Sequence, residues 1–263
     1  FYTIHMFWKK KKVDTTKNSN IILGMVMLNN GNAFNIDSFC FFFKNNYGWD
    51  VQEPTGDNSS FAFRVDDEVA AIAYMDVPIP PGDIEETAKY AYNWQTAFED
   101  TKGHKSHLIV SLMRGGQDQI KRFKIFTKVL CSLLRTTNAI SVYKGTQSLL
   151  LPKDYYLKEA KLISGGYLPL NLWIYFGLRV TDNGNSGYTY GLKEFNKTEI
   201  EIVDSCRRLE DIRGFLFNIA YYMLEYNVTF QDGQTIGDSE EEKIPIRFSK
   251  GKFVQGDTFK FAY

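Results

Sequence analysis

The chain has 263 residues, 44% of them hydrophobic and 16% aromatic, which suffices for a sizeable core in one large domain or two smaller ones. Lysine plus arginine and aspartate plus glutamate both number 31, and the resulting net charge of zero argues against a dedicated nucleic-acid-binding protein. No apolar run reaches the roughly 18 residues that a transmembrane helix requires.

Residues 1–19 are interpreted as a leader followed by a basic tail. Phe1–His5 look like translated leader sequence, and Met6 is the expected native start. Two aromatic residues and the lysine run Lys9–Lys12 come next. Two aromatic residues and four lysines provide only weak membrane anchoring, so these residues are predicted to form a basic tail.

Residues 20–115 predict a first half with the order β-α-β-β-α-β. In the first helix, Ile36, Phe39, Cys40 and Phe43 follow helical spacing. The second helix is expected to begin near Gly82, with Asp83 and Glu86 forming a pattern like a capping box. The predicted strands cover residues 20–30, 60–65, 69–80 and 107–115. This order is that of a ferredoxin-like unit.

Residues 116–138 predict a connecting helix, centred on Asp118 to Thr136. Its apolar stripe consists of Ile120, Phe123, Phe126, Leu130, Leu133 and Leu134. The pair Gly115–Gly116 precedes this helix. Glycine pairs at such positions usually cap an element, and the alternative is an anion bound at the helix N-terminus.

Residues 139–263 predict a second α+β half. Asn183-Gly184 is typical of a tight hairpin turn between two strands. The helix near residues 207–226 carries the clearest apolar stripe, and two strands end the chain. The other predicted elements are strands at residues 139–145 and 199–203 and a helix at residues 153–164. We therefore predict an α+β fold of two ferredoxin-like (βαββαβ) halves joined by a long helix.

The cysteines predict neither a zinc site nor a disulfide framework. Cys40, Cys131 and Cys206 are far apart, and the sequence has no CxxC pair. The odd number of cysteines and the lack of a signal peptide favour a reducing compartment, so we predict a cytoplasmic protein.

Several strings in the second half are similar to one family. They are "LPLNLWIYFGLRV", "YTYGLKEF", "LEDIRGFLFNIAYYMLEYNVTFQDGQTIG" and "EEEKIPIRFSKG". Together with "PIPPGDIEETAKYAYNW" and "HKSHLIVSL" of the first half, they resemble the bacterial domain-of-unknown-function family 4261, most strongly from Leu168 to Gly251 and extending back to Asn20. The family is uncharacterised, so the resemblance implies no chemistry. It implies an intracellular bacterial protein, and it suggests an immunity or accessory factor of a toxin or secretion system.

The stretch from Asp232 to Ser249 is acidic and punctuated by glycine. It does not fit a calcium loop of the EF-hand type, because Gln234 and Ile236 occupy positions that need oxygen ligands. A surface turn, a contact with a basic partner and the edge of a polar pocket remain open. The candidate binding residues here are Asp232, Thr235, Asp238, Glu240, Glu241 and Arg247.

Histidines and tyrosines supply the other candidates. His104 and His107 form H-x-x-H without the glutamate of a metalloprotease motif, so a structural role is favoured over metal binding. We expect a ring nitrogen of His107 to bond to the backbone. Most aromatic residues of the second half are expected in the core, with Tyr175, Tyr188 and Tyr190 exposed. Tyr188 and Tyr190 are therefore added to the candidate binding residues.

No catalytic set, metal site or cofactor motif is predicted, because the sequence has no nucleophile elbow, P-loop or dinucleotide-binding fingerprint. The favoured hypothesis is a non-enzymatic binding protein whose partner is another protein. The alternative is a small-ligand site or enzyme between the two halves, using Asp232, Thr235, Glu241, Arg247 and His107.

Overall fold

The computed structural model of the chain describes residues 21–29, 34–237 and 243–263. These residues divide into two compact units, one ending at Trp173 and the other running from Ile174 to Tyr263. The predicted Phe1–His5 leader and the Lys9–Lys12 run lie outside the described residues. None of the helices in the described ranges combines the length and the apolar character needed to cross a membrane.

The first unit is a mixed sheet-and-helix structure. Its strands are β1 (Ile22–Leu28), β2 (Gln52–Gly56), β3 (Ser60–Val65), β4 (Glu68–Met75), β5 (Ser106–Arg114), β6 (Ala139–Lys144) and β7 (Leu149–Pro152). Its helices are α1 (Ile36–Tyr47), α2 (Pro81–Ala88), α3 (Ala97–Thr101), α4 (Gln119–Thr136) and α5 (Lys153–Ala160). The strands form one antiparallel sheet in the order β2-β3-β4-β5-β1-β6-β7.

Helices cover this sheet on both faces. On one face α1 packs with α4, and Phe39 of α1 contacts Phe61 and Phe63 of β3. On the other face, residues of the α2 and α3 region bury Met27 of β1, and Ile84 of α2 belongs to this cluster. Successive residues of a strand point to opposite faces, which explains how β1 contributes to both layers.

A buried ion pair joins the start of β4 to α4. Glu68 and Arg122 are each only 2% exposed, and Arg122 Nε lies 3.1 Å from both carboxylate oxygens of Glu68. The same carboxylate accepts a hydrogen bond from the backbone N–H of Gly116 at 3.1 Å. The sequence suggested an external anion at the start of α4, and there the Asp118 carboxylate accepts a hydrogen bond from the Lys121 N–H at 3.0 Å.

The α+β class is confirmed, whereas the two ferredoxin-like halves are not. In the predicted arrangement β1 lies between β4 and β5, but here β5 is hydrogen-bonded to both β4 and β1. Strand β6 pairs with the other edge of β1, so residues 139–152 extend the first sheet. The division of the chain therefore falls after Trp173, and α4 lies inside the first unit instead of connecting two halves.

The second unit consists of one sheet and one long helix. Its elements are β8 (Tyr175–Thr181), β9 (Gly184–Tyr190), β10 (Ile200–Ser205), α6 (Leu209–Glu225), β11 (Thr235–Ile236), β12 (Ile244–Lys250) and β13 (Asp257–Phe261). The strand order is β11-β12-β13-β10-β9-β8, with β10 and β13 parallel. Helix α6 packs on β8, β9 and β10. A Cβ atom at Gly187 would collide with Ile212 and Leu216, so glycine there permits the close approach of helix and sheet.

Two buried carboxylates at the start of β10 hold neighbouring loops. Glu199 accepts hydrogen bonds from the Thr189 hydroxyl and the backbone N–H groups of Gly191 and Lys193. Burial raises the pKa of Glu199, and these donors act in the opposite direction. Glu201 is fully buried and binds the loop between β12 and β13. The carboxylates of Glu199 and Glu201 therefore accept hydrogen bonds from backbone N–H groups that have no backbone acceptor in these irregular segments.

Candidate functional site

A pocket of about 350 Å³ lies in the first unit, on the sheet face that α2 covers. Its apolar lining comes from β1, from β6 and from the segment before α2, and it consists of Leu23, Met25, Ile79, Pro80 and Tyr143. Asp83, His107 and Thr146 contribute the polar side chains, and Lys144 also reaches the lining. Pockets of this size, mostly apolar with a few polar groups, are typical of small-molecule sites.

Three prolines determine the path of the chain segment that forms one wall of the pocket. Pro78, Pro80 and Pro81 cannot donate backbone hydrogen bonds, so the chain leaves the sheet after β4. Helix α2 then begins with Pro81 in its first turn, a position where the missing N–H costs nothing. The residue before the helix is Pro80, and no side chain caps it. The prediction that Asp83 caps this helix is therefore wrong, because Asp83 already lies within the first turn.

Two histidines attach this wall to the rest of the unit. His104 Nε2 accepts a hydrogen bond from the Ile79 N–H at 2.7 Å, and His104 Nδ1 donates to the Thr101 carbonyl oxygen at 2.8 Å. His107 Nδ1 donates to the Val77 carbonyl oxygen at 2.9 Å. A carbonyl oxygen can only accept, so both rings carry their proton on Nδ1. The prediction that a ring nitrogen of His107 bonds to the backbone is confirmed.

Both histidines are held in the neutral state. Burial lowers the pKa of His104 and of His107, and the bonds to Thr101 and Val77 oppose that effect only in part. A proton added to His104 Nε2 would also remove the acceptor of the Ile79 N–H. The arrangement therefore favours neutral imidazole for a geometric reason as well as through burial.

Acidification is expected to destabilise the first unit through these two histidines. The unfolded chain takes up protons at a higher pH than the folded chain, so stability is complete above about pH 6.5 and falls as the pH drops below it. Each histidine can contribute up to about 1.4 kcal/mol per pH unit to this loss. Urea unfolding between about pH 8 and about pH 5, followed by tryptophan fluorescence, measures the slope.

A double variant, His104→Gln with His107→Asn, serves as the control for this slope. Glutamine can accept from the Ile79 N–H, and asparagine can donate to the Val77 carbonyl, so one hydrogen bond remains at each position. The variant is expected to lose stability less steeply at acidic pH. An unchanged slope would contradict the assignment to these histidines.

Asp232, Thr235 and Arg247, the candidate residues of the acidic stretch that the structure describes, lie in the second unit at β11, β12 and the turn before β11. Asp232 Oδ1 accepts a hydrogen bond from the Phe248 N–H at 2.8 Å, which ties the turn before β11 to β12. Thr235 is exposed and lies opposite Pro245, while Arg247 is exposed and lies opposite Lys260. Asp238, Glu240 and Glu241 lie outside the described residues. Asp232 thus has a structural partner, and the binding roles of the whole set stay predictions.

The predicted exposure of two tyrosines is wrong. Tyr175 and Tyr188 are each only 6% exposed, whereas Tyr190 is 37% exposed. The Tyr188 ring stacks on Phe253, with centroids 5.5 Å apart, and its hydroxyl accepts a hydrogen bond from Arg179 at 3.2 Å. Opposite it lies Gly177, where a Cβ atom would overlap the Tyr188 ring. The missing side chain at Gly177 makes the room that buries Tyr188.

The sequence analysis included His107 among its candidates but missed the pocket around it. The lining comes from segments far apart in the chain, so no local pattern could assemble it. The available signals were the prolines between β4 and α2 and the H-x-x-H pair. Among the described residues, no group of three or more histidine, cysteine, aspartate or glutamate side chains is arranged to hold a metal ion.

Comparison with known families finds a match over residues 188–262 to a family described as a domain of unknown function (DUF4261). The matched range covers most of the second unit, and it confirms the resemblance seen in the sequence. The pocket lies outside the matched range. Searches of curated proteins and of solved structures gave no match.

Proposed function

We propose that this chain, whose residues 188–262 match the DUF4261 family, is a binding protein that takes a small ligand in the pocket of its first unit. The observation that carries the proposal is the pocket itself. It has a volume of about 350 Å³, an apolar lining and three polar side chains at separate points. Such a combination is the usual setting of a binding site.

The construction of the pocket supports this role. The Ile79 N–H of the wall donates a hydrogen bond to His104, and the Val77 carbonyl oxygen accepts one from His107, so the wall needs little ordering when a ligand enters. Preformed sites avoid part of the entropic cost of binding. Met25 adds an adaptable side chain that can fit ligands of different shapes.

Blocking the pocket is expected to abolish ligand binding. Thr146 is exposed and lines the pocket, so Thr146→Trp should fill the entrance without disturbing the core. A fragment library screened by NMR on the methyl groups of Met25 and Ile79 gives the measurement. Fragments that shift these signals in the native protein should leave them unchanged in Thr146→Trp.

Gln95→Trp is the matched control, because Gln95 is exposed and is not part of the lining. This variant should bind the same fragments as the native protein. If no fragment shifts the Met25 or Ile79 signals, or if Thr146→Trp binds as well as Gln95→Trp, the pocket is not a binding site.

The partner-protein hypothesis stays a prediction. It rests on the family resemblance, and no contact among the described residues identifies a partner protein. The alternative site between two predicted halves also stays a prediction, because His107 belongs to the first unit and Asp232, Thr235 and Arg247 belong to the second.

A further inference from the structure

We propose that the pocket takes a small organic amine, whose ammonium group binds Asp83 and whose apolar body lies against Met25, Ile79 and Tyr143. This inference rests on the proposed function and adds the chemical class of the ligand.

The charge available to a ligand is negative. Asp83 is exposed and forms no ion pair with any residue in the described part of the chain. Lys144 reaches the lining, but its ammonium group is engaged elsewhere. Lys144 Nζ lies 4.9 Å from the ring centroid of Phe123 and 3.5 Å from the Leu172 carbonyl oxygen. The Asp83 carboxylate is therefore the charged group that a ligand meets in the pocket, and its charge is negative.

The N-terminus of α2 does not make the pocket a site for anions. Pro81 has no N–H, and the N–H groups of Asp83 and Ile84 both point to the Pro80 carbonyl oxygen, at 3.0 and 3.4 Å. Gly82 alone is left to offer a first-turn donor. An anionic ligand needs several converging donors at a helix start, and it would also meet the Asp83 carboxylate.

The ring nitrogen of His107 that is not bonded to Val77 is Nε2, and it can accept a hydrogen bond from a ligand. His107 Nδ1 donates to Val77, so Nε2 has a lone pair and no proton. The ring is 6% exposed, and its Nε2 has no hydrogen-bond partner within the described ranges. The hydroxyl groups of Thr146 and Tyr143 can also accept. A ligand that satisfies these atoms must bring N–H or O–H donors, and an ammonium group brings three.

The apolar part of the lining fits a compact hydrophobic body. Met25 and Tyr143 face each other across the β1–β6 pairing, and Ile79 is fully buried beside them. Asp83 and Tyr143 both line the pocket, and a carboxylate attracts an organic cation by ion pairing while an aromatic ring attracts it by cation–π interaction. A volume of about 350 Å³ is at the small end for ligand sites, which favours a single ring with a short amine side chain.

Three probes of nearly equal shape test the ligand class. They are 2-phenylethylamine, which is cationic near neutral pH, 2-phenylethanol, which is neutral, and 3-phenylpropionate, which is anionic. NMR titration of the full chain, read at Met25 and Ile79, gives each dissociation constant. We expect the amine to bind about tenfold more tightly than the alcohol, and the carboxylate to bind most weakly.

Two variants on the same helix separate the role of Asp83 from a general change in charge. Asp83→Asn should weaken amine binding about tenfold and leave alcohol binding within about twofold. Glu85→Gln removes one charge from an exposed position that does not line the pocket, and it should leave amine binding unchanged within about twofold. The methyl spectrum of each variant, recorded without ligand, shows that it is folded.

The outcomes distinguish this inference from the proposed function. If the alcohol or the carboxylate binds at Met25 as tightly as the amine, the ligand class is wrong and the pocket remains a binding site. The same holds if the library fragments bind there and none of the three probes does. An equal loss of amine binding in Glu85→Gln and Asp83→Asn also overturns the role of Asp83. If neither probes nor fragments shift the pocket signals, both proposals fail.

Discussion

Replacing Glu201 with alanine is expected to destabilise the second unit by about 3–5 kcal/mol. The Glu201 carboxylate is fully buried and accepts hydrogen bonds from the backbone N–H groups of Lys252 and Phe253, at 2.8 to 3.0 Å. The Thr258 hydroxyl donates to the same group at 3.0 Å, and Lys260 Nζ lies 3.6 Å away. Alanine leaves the buried Thr258 hydroxyl and the part-buried N–H groups of Lys252 and Phe253 without their acceptor, and each unsatisfied group that water does not reach is costly.

Glu225→Ala is the matched control, because Glu225 is an exposed carboxylate at the end of α6 in the same unit. It should change the free energy of unfolding by no more than about 0.5 kcal/mol. The tryptophans of the described residues, Trp49, Trp94 and Trp173, all belong to the first unit, so the second unit needs another probe, such as the methyl signals of Ile202 and Ile246 during urea unfolding. Equal stabilities of the two variants would show that the Lys252–Phe253 loop does not depend on Glu201.

Glu68→Ala is expected to have an effect of similar size in the first unit, again about 3–5 kcal/mol. The change leaves the Arg122 guanidinium buried without its carboxylate, and it also removes the acceptor of the Gly116 N–H. Breaking a buried pair costs more than the pair itself contributes, since the remaining charge is far from water. Urea unfolding followed by tryptophan fluorescence measures the loss.

The neighbouring residue and a double variant make this prediction specific. Asp67 is exposed, so Asp67→Ala should cost no more than about 0.5 kcal/mol. Replacing both partners, Glu68→Leu with Arg122→Met, should recover most of the stability, because apolar residues of similar size can fill the space. If the double variant is less stable than Glu68→Ala, the loss has another origin than the unpaired charge.

The elements that follow a local pattern were predictable from the sequence. The apolar spacing of α4 and α6 gave their bounds to within a few residues, and Asn183-Gly184 marked the hairpin that joins β8 to β9. Each of these signals lies within one short stretch of chain. The interactions that form each of these elements are therefore local, and the sequence of the element itself shows them.

The sheet order and the burial of Tyr188 were not predictable in that way. Which strand lies beside β1 depends on residues far later in the chain, such as Leu112 opposite Ile22 and Ala139 opposite Leu28, and no local signal records that choice. On β9 the run from Ser186 to Thr189 is buried, because both faces of the strand are covered. Alternation then no longer separates core from solvent.

The candidate site could not be predicted from the sequence, for a related reason. Asp83 and His107 were both noticed in the sequence, one as a helix cap and the other as a structural histidine, but only the folded chain places them in one pocket. The tautomer of His107, with its proton on Nδ1, follows from its contact with the Val77 carbonyl oxygen, which lies 30 residues earlier in the chain. Sequence reasoning could identify the residue and not its neighbours.

The position of β1 has a consequence for synthesis of the protein on the ribosome. Met25 of β1 pairs with Ile109 on β5 and with Tyr143 on β6, so both neighbours of β1 are translated long after it. The nascent apolar segment Ile22–Leu28 has to wait for its partners, and during that time its backbone is open to pairing with other chains. Because β6 ends at Lys144, slow elongation before that residue is expected to lengthen this period.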